Sequence, residues 1–378
     1  MKVTHRGKFG RTKSMAFADA YRSKRVFITG HTGFKGSWLT QWLINLGAQV
    51  TGYALKADSD RAMFCKLNLS ASINHIEGDI RDLDKLRLSI REARPDIVLH
   101  LAAQPLVRLS FENPLDTYSI NIMGTVNLLE AIRLEGRPCA VVVVTTDKCY
   151  ENKEWVQGYR EEDPLGGFDP YSSSKAATEI VSAAYRSSFF RSEGKGIKLA
   201  TARAGNVIGG GDWAADRIVP DCVRSLLNNK TIGVRNKIAT RPWQHVLEPL
   251  SGYLWLGASL LNPKLVIWGE RIETAFNFGP ELSSNRTVAQ LVEEILKHWE
   301  GRWEDKSDPT AVHEAKLLNL SSDKAFHLLG WKPTWDFEKA VKETVEWYKA
   351  ESDGTFLTSK QIADYSKQAS DQLIQWAL

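Results

Sequence analysis

Six short apolar segments alternate with helical patterns through the first half of the chain, and a glycine-rich turn follows the first of them. Together these features predict an α/β fold: a doubly wound parallel sheet with helices on both faces, followed by a smaller C-terminal domain. A strand covered on both faces reads as an unbroken apolar run, and parallel neighbours need crossover helices between them. The expected parts are a basic N-terminal tail over 1–24, a sheet domain over 25–205, and a smaller binding domain over 206–378. Some segments of that last part should return to the sheet.

The elements follow in order. Residues 25–29 read as a buried strand, and Trp38, Leu39, Trp42, Leu43 and Leu46 then form one stripe of a helix that Gly47 stops. Segments 49–53 and 73–76 give a second and a third strand. A helix over 82–94 ends before Pro95, and 96–100 is the fourth strand. A long helix over 114–135, a fifth strand at 140–144, a helix over 170–191 and a sixth strand at 198–202 complete the alternation. Beyond Gly205 the segments shorten and grow richer in Trp and Pro. The run around 253–261 reads as a buried helix, and 301–309 as a polar surface loop.

Composition excludes several classes. No apolar run approaches the roughly 20 residues that a membrane-spanning helix needs, so no membrane partner is expected. The formal net charge is +4, but residues 1–25 carry eight Lys or Arg against Asp19. That segment is therefore +7 and the remainder −3, which argues against a nucleic-acid-binding surface. The basic head lacks an apolar h-region and reads as a solvated tail. A transit peptide, or an upstream start preceding Met15, are the alternatives. Four cysteines, Cys65, Cys139, Cys149 and Cys222, show no paired spacing. Reduced thiols in a cytoplasmic protein, with no metal site, is the reading.

Gly30-x-x-Gly33-x-x-Gly36 sits between the first strand and the first helix. Glycines let the backbone approach a pyrophosphate closely, and the helix start offers unpaired N–H groups. The alternative is a tight turn without a ligand. A carboxylate that would bind a ribose is missing after the second strand, where Lys56 precedes Asp58. NAD and NADP therefore both stay open. Asp79 either holds an adenine amine or caps the next helix.

Tyr171 and Lys175 are four apart on a helix opened by Asp169 and Pro170, so they share a face. A neighbouring ammonium favours phenolate and should lower the tyrosine pKa. Thr146, Asp147 and Lys148 end the fifth strand, at the sheet edge where ligands bind in such folds. Thr146 is placed to orient a hydroxyl that Tyr171 deprotonates. Asp147 and Lys148 offer an acid and a base together. The alternative is a strand-end ion pair with Thr146 as cap.

These pieces, with His100-Leu-Ala-Ala103 and Leu329-Gly-Trp-Lys-Pro333, resemble the extended branch of the short-chain dehydrogenase/reductase superfamily. Thr146-Asp147 resembles the pair found in nucleotide-sugar 4,6-dehydratases. The strings at 29–39, 146–150, 203–213, 216–220 and 241–248 are similar to the group that takes CDP-glucose. Many such dehydratases carry Glu where Lys148 stands.

The resemblance implies a Rossmann-type fold, NAD as cofactor, CDP-glucose as small-molecule substrate, and a homodimer packed through the 114–135 and 170–191 helices. It implies catalytic roles for Thr146, Asp147, Lys148, Tyr171 and Lys175. The cofactor would contact Gly30, Thr32, Gly33, Phe34, Lys35, Gly36, Asp79, Ile80, Leu101, Ala102 and Ala103, together with Tyr171 and Lys175. Gln104, Asn206, Arg217, Arg241 and His245 would meet the substrate. The implied reaction oxidises C4, eliminates water across C5 and C6, and returns the hydride to C6. A 4-epimerase is the nearest rival and would need neither Asp147 nor Lys148. A cofactor-sensing protein without turnover is the rival from another class, and such proteins tend to lose the Tyr–Lys pair.

Overall fold

The computed structural model describes residues 16–191, 194–307 and 317–378. The six expected strands form as β1 (Arg25–Thr29), β2 (Gln49–Ala54), β3 (Asn74–Glu77), β4 (Ile97–His100), β5 (Cys139–Val144) and β6 (Ile197–Arg203). The C-terminal half returns one strand, β7 (Ala275–Asn277), to the open edge of β6. The order across the sheet is β7–β6–β5–β4–β1–β2–β3, with every pairing parallel. The order reverses between β1 and β4, the place where such sheets open a crevice at the strands' carboxyl ends.

Alternation along each strand covers both faces. Ile28, Leu99, Val142 and Ala200 point into one apolar cluster, whereas Phe27, Val98, Val141 and Leu199 point into the other. The helices doing the covering are α1 (Phe34–Asn45), α2 (Leu83–Ala93), α3 (Gly124–Glu135), α4 (Pro170–Tyr185) and α5 (Leu247–Leu261). Asp82 caps α2 by accepting from the Lys85 amide at 3.0 Å, and Asp169 caps α4 by accepting from Ser172 at 2.9 Å. α5 is mostly apolar and buried against the sheet, with every residue but the last enclosed.

Four local expectations are corrected. The single helix over 114–135 is Pro114–Tyr118, a π-turn at Ser119–Met123, and then α3. The extra residue of a π-turn re-aims a side chain. Here Asn121 turns inward, donating to Ser174 Oγ at 2.8 Å and accepting from the Gln104 amide at 2.8 Å. The run over 170–191 likewise ends in a π-turn, Arg186–Phe190. The polar loop at 301–309 contains a strand, Trp303–Asp305, paired with Ile232–Val234; 308 and 309 lie outside the described residues.

The fourth correction concerns the N-terminal tail. Residues 1–15 lie outside the described residues, but 16–24 are anchored rather than solvated. Phe17 stacks on Trp376 at 4.9 Å between centroids, and the Tyr21 hydroxyl donates to the Leu254 carbonyl at 2.7 Å. Two aromatic rings buried among Trp42, Tyr365 and Trp376 outweigh the solvation of the neighbouring basic residues.

Candidate active site

One cleft of about 2300 Å³ opens at the carboxyl ends of β1, β4 and β5. One wall is main chain. Gly30 adopts a φ of 76°, and a Cβ there would stand 2.7 Å from the Ala102 nitrogen. A Cβ on Gly36 would stand 2.1 Å from the Gly30 carbonyl oxygen. Only hydrogen fits at either position. Gly33 precedes α1 with no side-chain cap, so the first amides of the helix face the cleft. A dinucleotide pyrophosphate suits this cradle. Gly30, Thr32, Gly33, Phe34, Lys35 and Gly36 all line it, and Leu101, Ala102 and Ala103 continue the wall from β4.

Asp79 and Ile80 line the far end of that wall. Asp79 does not cap α2, since Asp82 does; it pairs with Arg81 at 2.6 Å instead. Both Lys56 and Asp58 also reach the cleft.

The residues expected to react come from the end of β5 and from α4. Thr146, Lys148, Tyr171 and Lys175 line the cleft together. Asp147 sits just behind Thr146, only 5% exposed, and its Oδ1 accepts from Thr146 Oγ1 at 2.9 Å. Its other oxygen faces Gly205, where a Cβ would approach to 2.9 Å. Burial pushes the Asp147 carboxyl above its ordinary range, against the pull of Lys148, the Thr146 hydroxyl, Arg241 and Lys35. Its burial makes Asp147 a better proton donor than an exposed carboxyl.

Tyr171 differs from the expectation. Burial pushes its phenol up to about 12, and the Thr146 hydroxyl is the first influence pulling it down. The Asp147 charge raises it and Arg217 lowers it; Lys175 is not among the leading causes. Desolvation disfavours phenolate more than one ammonium favours it. Thr146 has a single hydroxyl proton, so it serves Asp147 or Tyr171 but not both at once. Lys175 itself is brought down to about 8 by burial, with Glu179 pushing back. Lys35 is likewise lowered to about 8 by burial and by the nearby Arg217 and Lys175.

The opposite wall is built from side chains. Asn206, Arg217 and Arg241 line it. Arg217 pairs with Asp212 at 2.8 Å, and Arg241 donates to the Thr240 carbonyl at 2.8 Å. Two expected substrate contacts are corrected. Gln104 donates to Thr117 Oγ1 at 2.9 Å and to the Leu106 carbonyl at 3.1 Å, so both amide hydrogens hold its own loop. His245 is fully buried between Trp38 and Trp335, and burial drives its pKa down to about 3. Neither side chain faces the cleft.

Two groups escaped the sequence reading. His31 hydrogen-bonds His75 at 2.7 Å and ties the glycine loop to β3. Glu179 and Arg203 form a buried ion pair at 3.0 Å, with Glu179 one turn along α4 from Lys175. Glu179 carried one available signal, its place eight residues after Tyr171.

The GDP-mannose 4,6-dehydratase family matches residues 27–344. The chain belongs to this family. Among curated members of related function, the CDP-glucose 4,6-dehydratase of Salmonella typhimurium is 47% identical over 355 residues, covering 91% of this chain and 97% of that one. The human dTDP-D-glucose 4,6-dehydratase is 27% identical, covering 86% and 90%. Solved structures share the fold. The dTDP-glucose 4,6-dehydratase of Bacillus anthracis, in complex with NAD, superimposes with a TM-score of 0.70 at 21% identity, covering 88% of this chain and 98% of that one. The UDP-glucose 4-epimerase of Thermotoga maritima gives 0.73 at 23% identity, covering 86% and 99%. Dehydratase and epimerase folds match equally well, so the dehydratase family is distinguished by its site residues and not by its backbone.

Proposed function

We propose that this chain is an NAD-dependent CDP-glucose 4,6-dehydratase, a lyase that converts CDP-D-glucose to CDP-4-dehydro-6-deoxy-D-glucose and water. The observation that carries this reading is the buried acid Asp147, linked through Thr146 to the neighbourhood of Tyr171 at one cleft. A 4-epimerase has no use for such an acid. The 47% identity with the Salmonella enzyme supports the same substrate.

The glycine wall suits NAD: the α1 amides would hold its pyrophosphate, Asp79 and Ile80 its adenosine end, and Lys175 its nicotinamide ribose. Bound NAD supplies hydride acceptance and return, together with the positive ring charge that favours a neighbouring phenolate. The chain's own residues move the protons. Tyr171 Oη takes the proton of the sugar 4-hydroxyl while Thr146 orients that hydroxyl. The resulting ketone acidifies C5, and Lys148, or a group it activates, receives the C5 proton. Asp147 gives its proton to the departing 6-hydroxyl, which leaves as water. Asn206, Arg217 and Arg241 hold the diphosphate. The Lys148 proton then returns to C5, and the proton taken by Tyr171 passes to Asp147 through the Thr146 hydroxyl between them, which restores both groups.

A homodimer acting in the cytoplasm completes the proposal. Leu115, Met123 and Ile180 are 85%, 51% and 59% exposed on the helical face that the family resemblance assigns to the partner subunit. Light scattering of the purified protein tests it. Among the described residues no helix is long and apolar enough to cross a membrane.

The deciding experiment incubates the enzyme with CDP-, UDP- and dTDP-glucose, with NAD or NADP and no added reductant. Loss of one water from the CDP sugar alone, in the presence of NAD, is the expected result. Inversion at C4 without water loss would hand the assignment to the epimerase.

A further inference from the structure

α4 carries a third ionisable residue in line with the expected pair. Tyr171, Lys175 and Glu179 follow one another at four-residue spacing, so they share one helix face. Each meets a different residue at the end of β5. Tyr171 interacts with the Thr146 hydroxyl. Lys175 Nζ donates to the Val144 carbonyl at 3.3 Å. Thr145 Oγ1 donates to Glu179 Oε1 at 2.5 Å. The strand end that presents Thr146 and Asp147 is thus laced to the helix at three successive residues.

Glu179 is the best anchored of the three. Its side chain is 3% exposed and accepts from Thr201 Oγ1 at 2.6 Å and from Arg203 Nε and Nη2 at 3.0 Å each. Burial opposes its ionisation, but Arg203 and the two threonine hydroxyls outweigh burial and hold it as a carboxylate. Arg203 is fixed in turn by the Tyr150 hydroxyl at 2.7 Å and the Glu161 carbonyl at 3.0 Å. A buried ion pair of this kind is a poor source of stability compared with apolar packing. Its connection to Thr145 and its place beside Lys175 give it a use that packing would not.

The groups facing Lys175 come from several elements. Glu179 lies on its own helix, Cys149 follows β5, His100 ends β4 and Lys35 begins α1. Burial keeps the Cys149 thiol and the His100 ring neutral, and Lys35 is a cation. Glu179 is the anion of this set.

We propose that Glu179 is a positioning residue for the reaction: it fixes the strand end that aims Thr146 and Asp147, and it sets a carboxylate one helical turn from Lys175. The role deepens the dehydratase reading and rests on it. Three variants separate its two parts. Glu179→Gln removes the charge, Glu179→Asp keeps the charge but shortens the reach, and Thr145→Val removes the link while leaving the ion pair whole.

Two readouts are needed: steady-state kinetics with CDP-glucose across pH, and titration of Lys175 by NMR of protein carrying lysine labelled with ¹³C at the ε position. In Glu179→Gln, kcat should fall on the order of tenfold to a hundredfold, the scale of a small misplacement of reacting groups. KM should hold within about twofold, since no substrate contact is removed. The alkaline limb of the kcat profile and the Lys175 midpoint should both move to lower pH. Glu179→Asp should restore the midpoint and only part of kcat. Thr145→Val should lower kcat without moving the midpoint.

A folded Glu179→Gln enzyme with wild-type kcat and an unmoved Lys175 midpoint would overturn the proposal. Should that variant fail to fold, Thr145→Val decides: wild-type kcat there removes the positioning role. The NMR titration needs no turnover. A wild-type enzyme inert toward CDP-glucose therefore defeats the dehydratase reading by itself, and the midpoint shift still judges the electrostatic half.

Discussion

The two walls of the cleft are built from different materials. The wall over β1 and β4 is main chain, shaped by side chains that are absent at Gly30 and Gly36. The facing wall is charge held by charge: Arg217 on Asp212, and Arg108 and Arg235 both on Asp216 at 3.0 and 2.7 Å. A main-chain wall fails sterically and abruptly, because backbone cannot move aside. A side-chain wall fails by degrees and responds to salt. The proposed catalytic residues Thr146 and Asp147 stand at the seam, just past the end of β5.

Changes at the seam should be the most damaging. Tyr171→Phe and Asp147→Asn are each expected to lower water loss about 10²–10⁴-fold, the usual scale for a general acid or base. They should differ in kind. Asp147→Asn should still show a rise in absorbance at 340 nm on mixing with CDP-glucose, and Tyr171→Phe should not. Equal loss of that signal in both would place Asp147 in the oxidation rather than the elimination.

The contrast between the walls comes next. Gly36→Ala should cost about 1–3 kcal/mol of stability from overpacking and abolish dinucleotide binding measured by calorimetry. Arg217→Met should leave the dinucleotide Kd in place and raise the KM for the nucleotide sugar about tenfold to a hundredfold, the value of a charge-assisted hydrogen bond. Added salt should mimic Arg217→Met and not Gly36→Ala. A salt-sensitive dinucleotide Kd would break the comparison.

Beneath the charged wall, Glu248 at the start of α5 accepts from the Thr334 and Trp335 amides at 2.9 and 2.8 Å and from the Tyr365 hydroxyl at 2.7 Å. Burial raises its carboxyl from the ordinary 4.5 to about 7 against those three donors. The unfolded chain then releases this proton before the folded one does. Stability should therefore fall as pH rises from about 4.5 to about 7, and Glu248→Gln should flatten that slope in melting curves.

The smallest effect is expected at His245. His245→Phe should leave the KM for the nucleotide sugar within about twofold, because no group at this position reaches the cleft, and should cost roughly 1 kcal/mol in Tm-derived stability. A large change in KM there would return His245 to the binding site.

The misreadings have a common origin. His245 stands in a string that resembles a family motif and Gln104 directly follows another, yet both side chains turn inward. Trp335 closes over His245 from 90 residues further along the chain, and Thr117 takes up the Gln104 amide across the π-turned helix. Neither partner is visible from the local spacing. Tyr171 shows the same effect in its electrostatics. The four-residue spacing to Lys175 was legible, but the enclosing apolar walls, which set its pKa to about 12, were not.

What the chain's own pattern determined was of short range: six strands from apolar runs, the cradle from glycine spacing, the Tyr–Lys face from a helix period, and the acid just past a strand end. Periodicity and steric permission act over a few residues, so they can be read in order. The tertiary structure alone decided which polar side chains face the cleft, how far burial outweighs neighbouring charge, and that Glu179 and Arg203 meet beneath the site. Those outcomes depend on segments brought together from distant parts of the chain, and desolvation has no meaning until that packing exists.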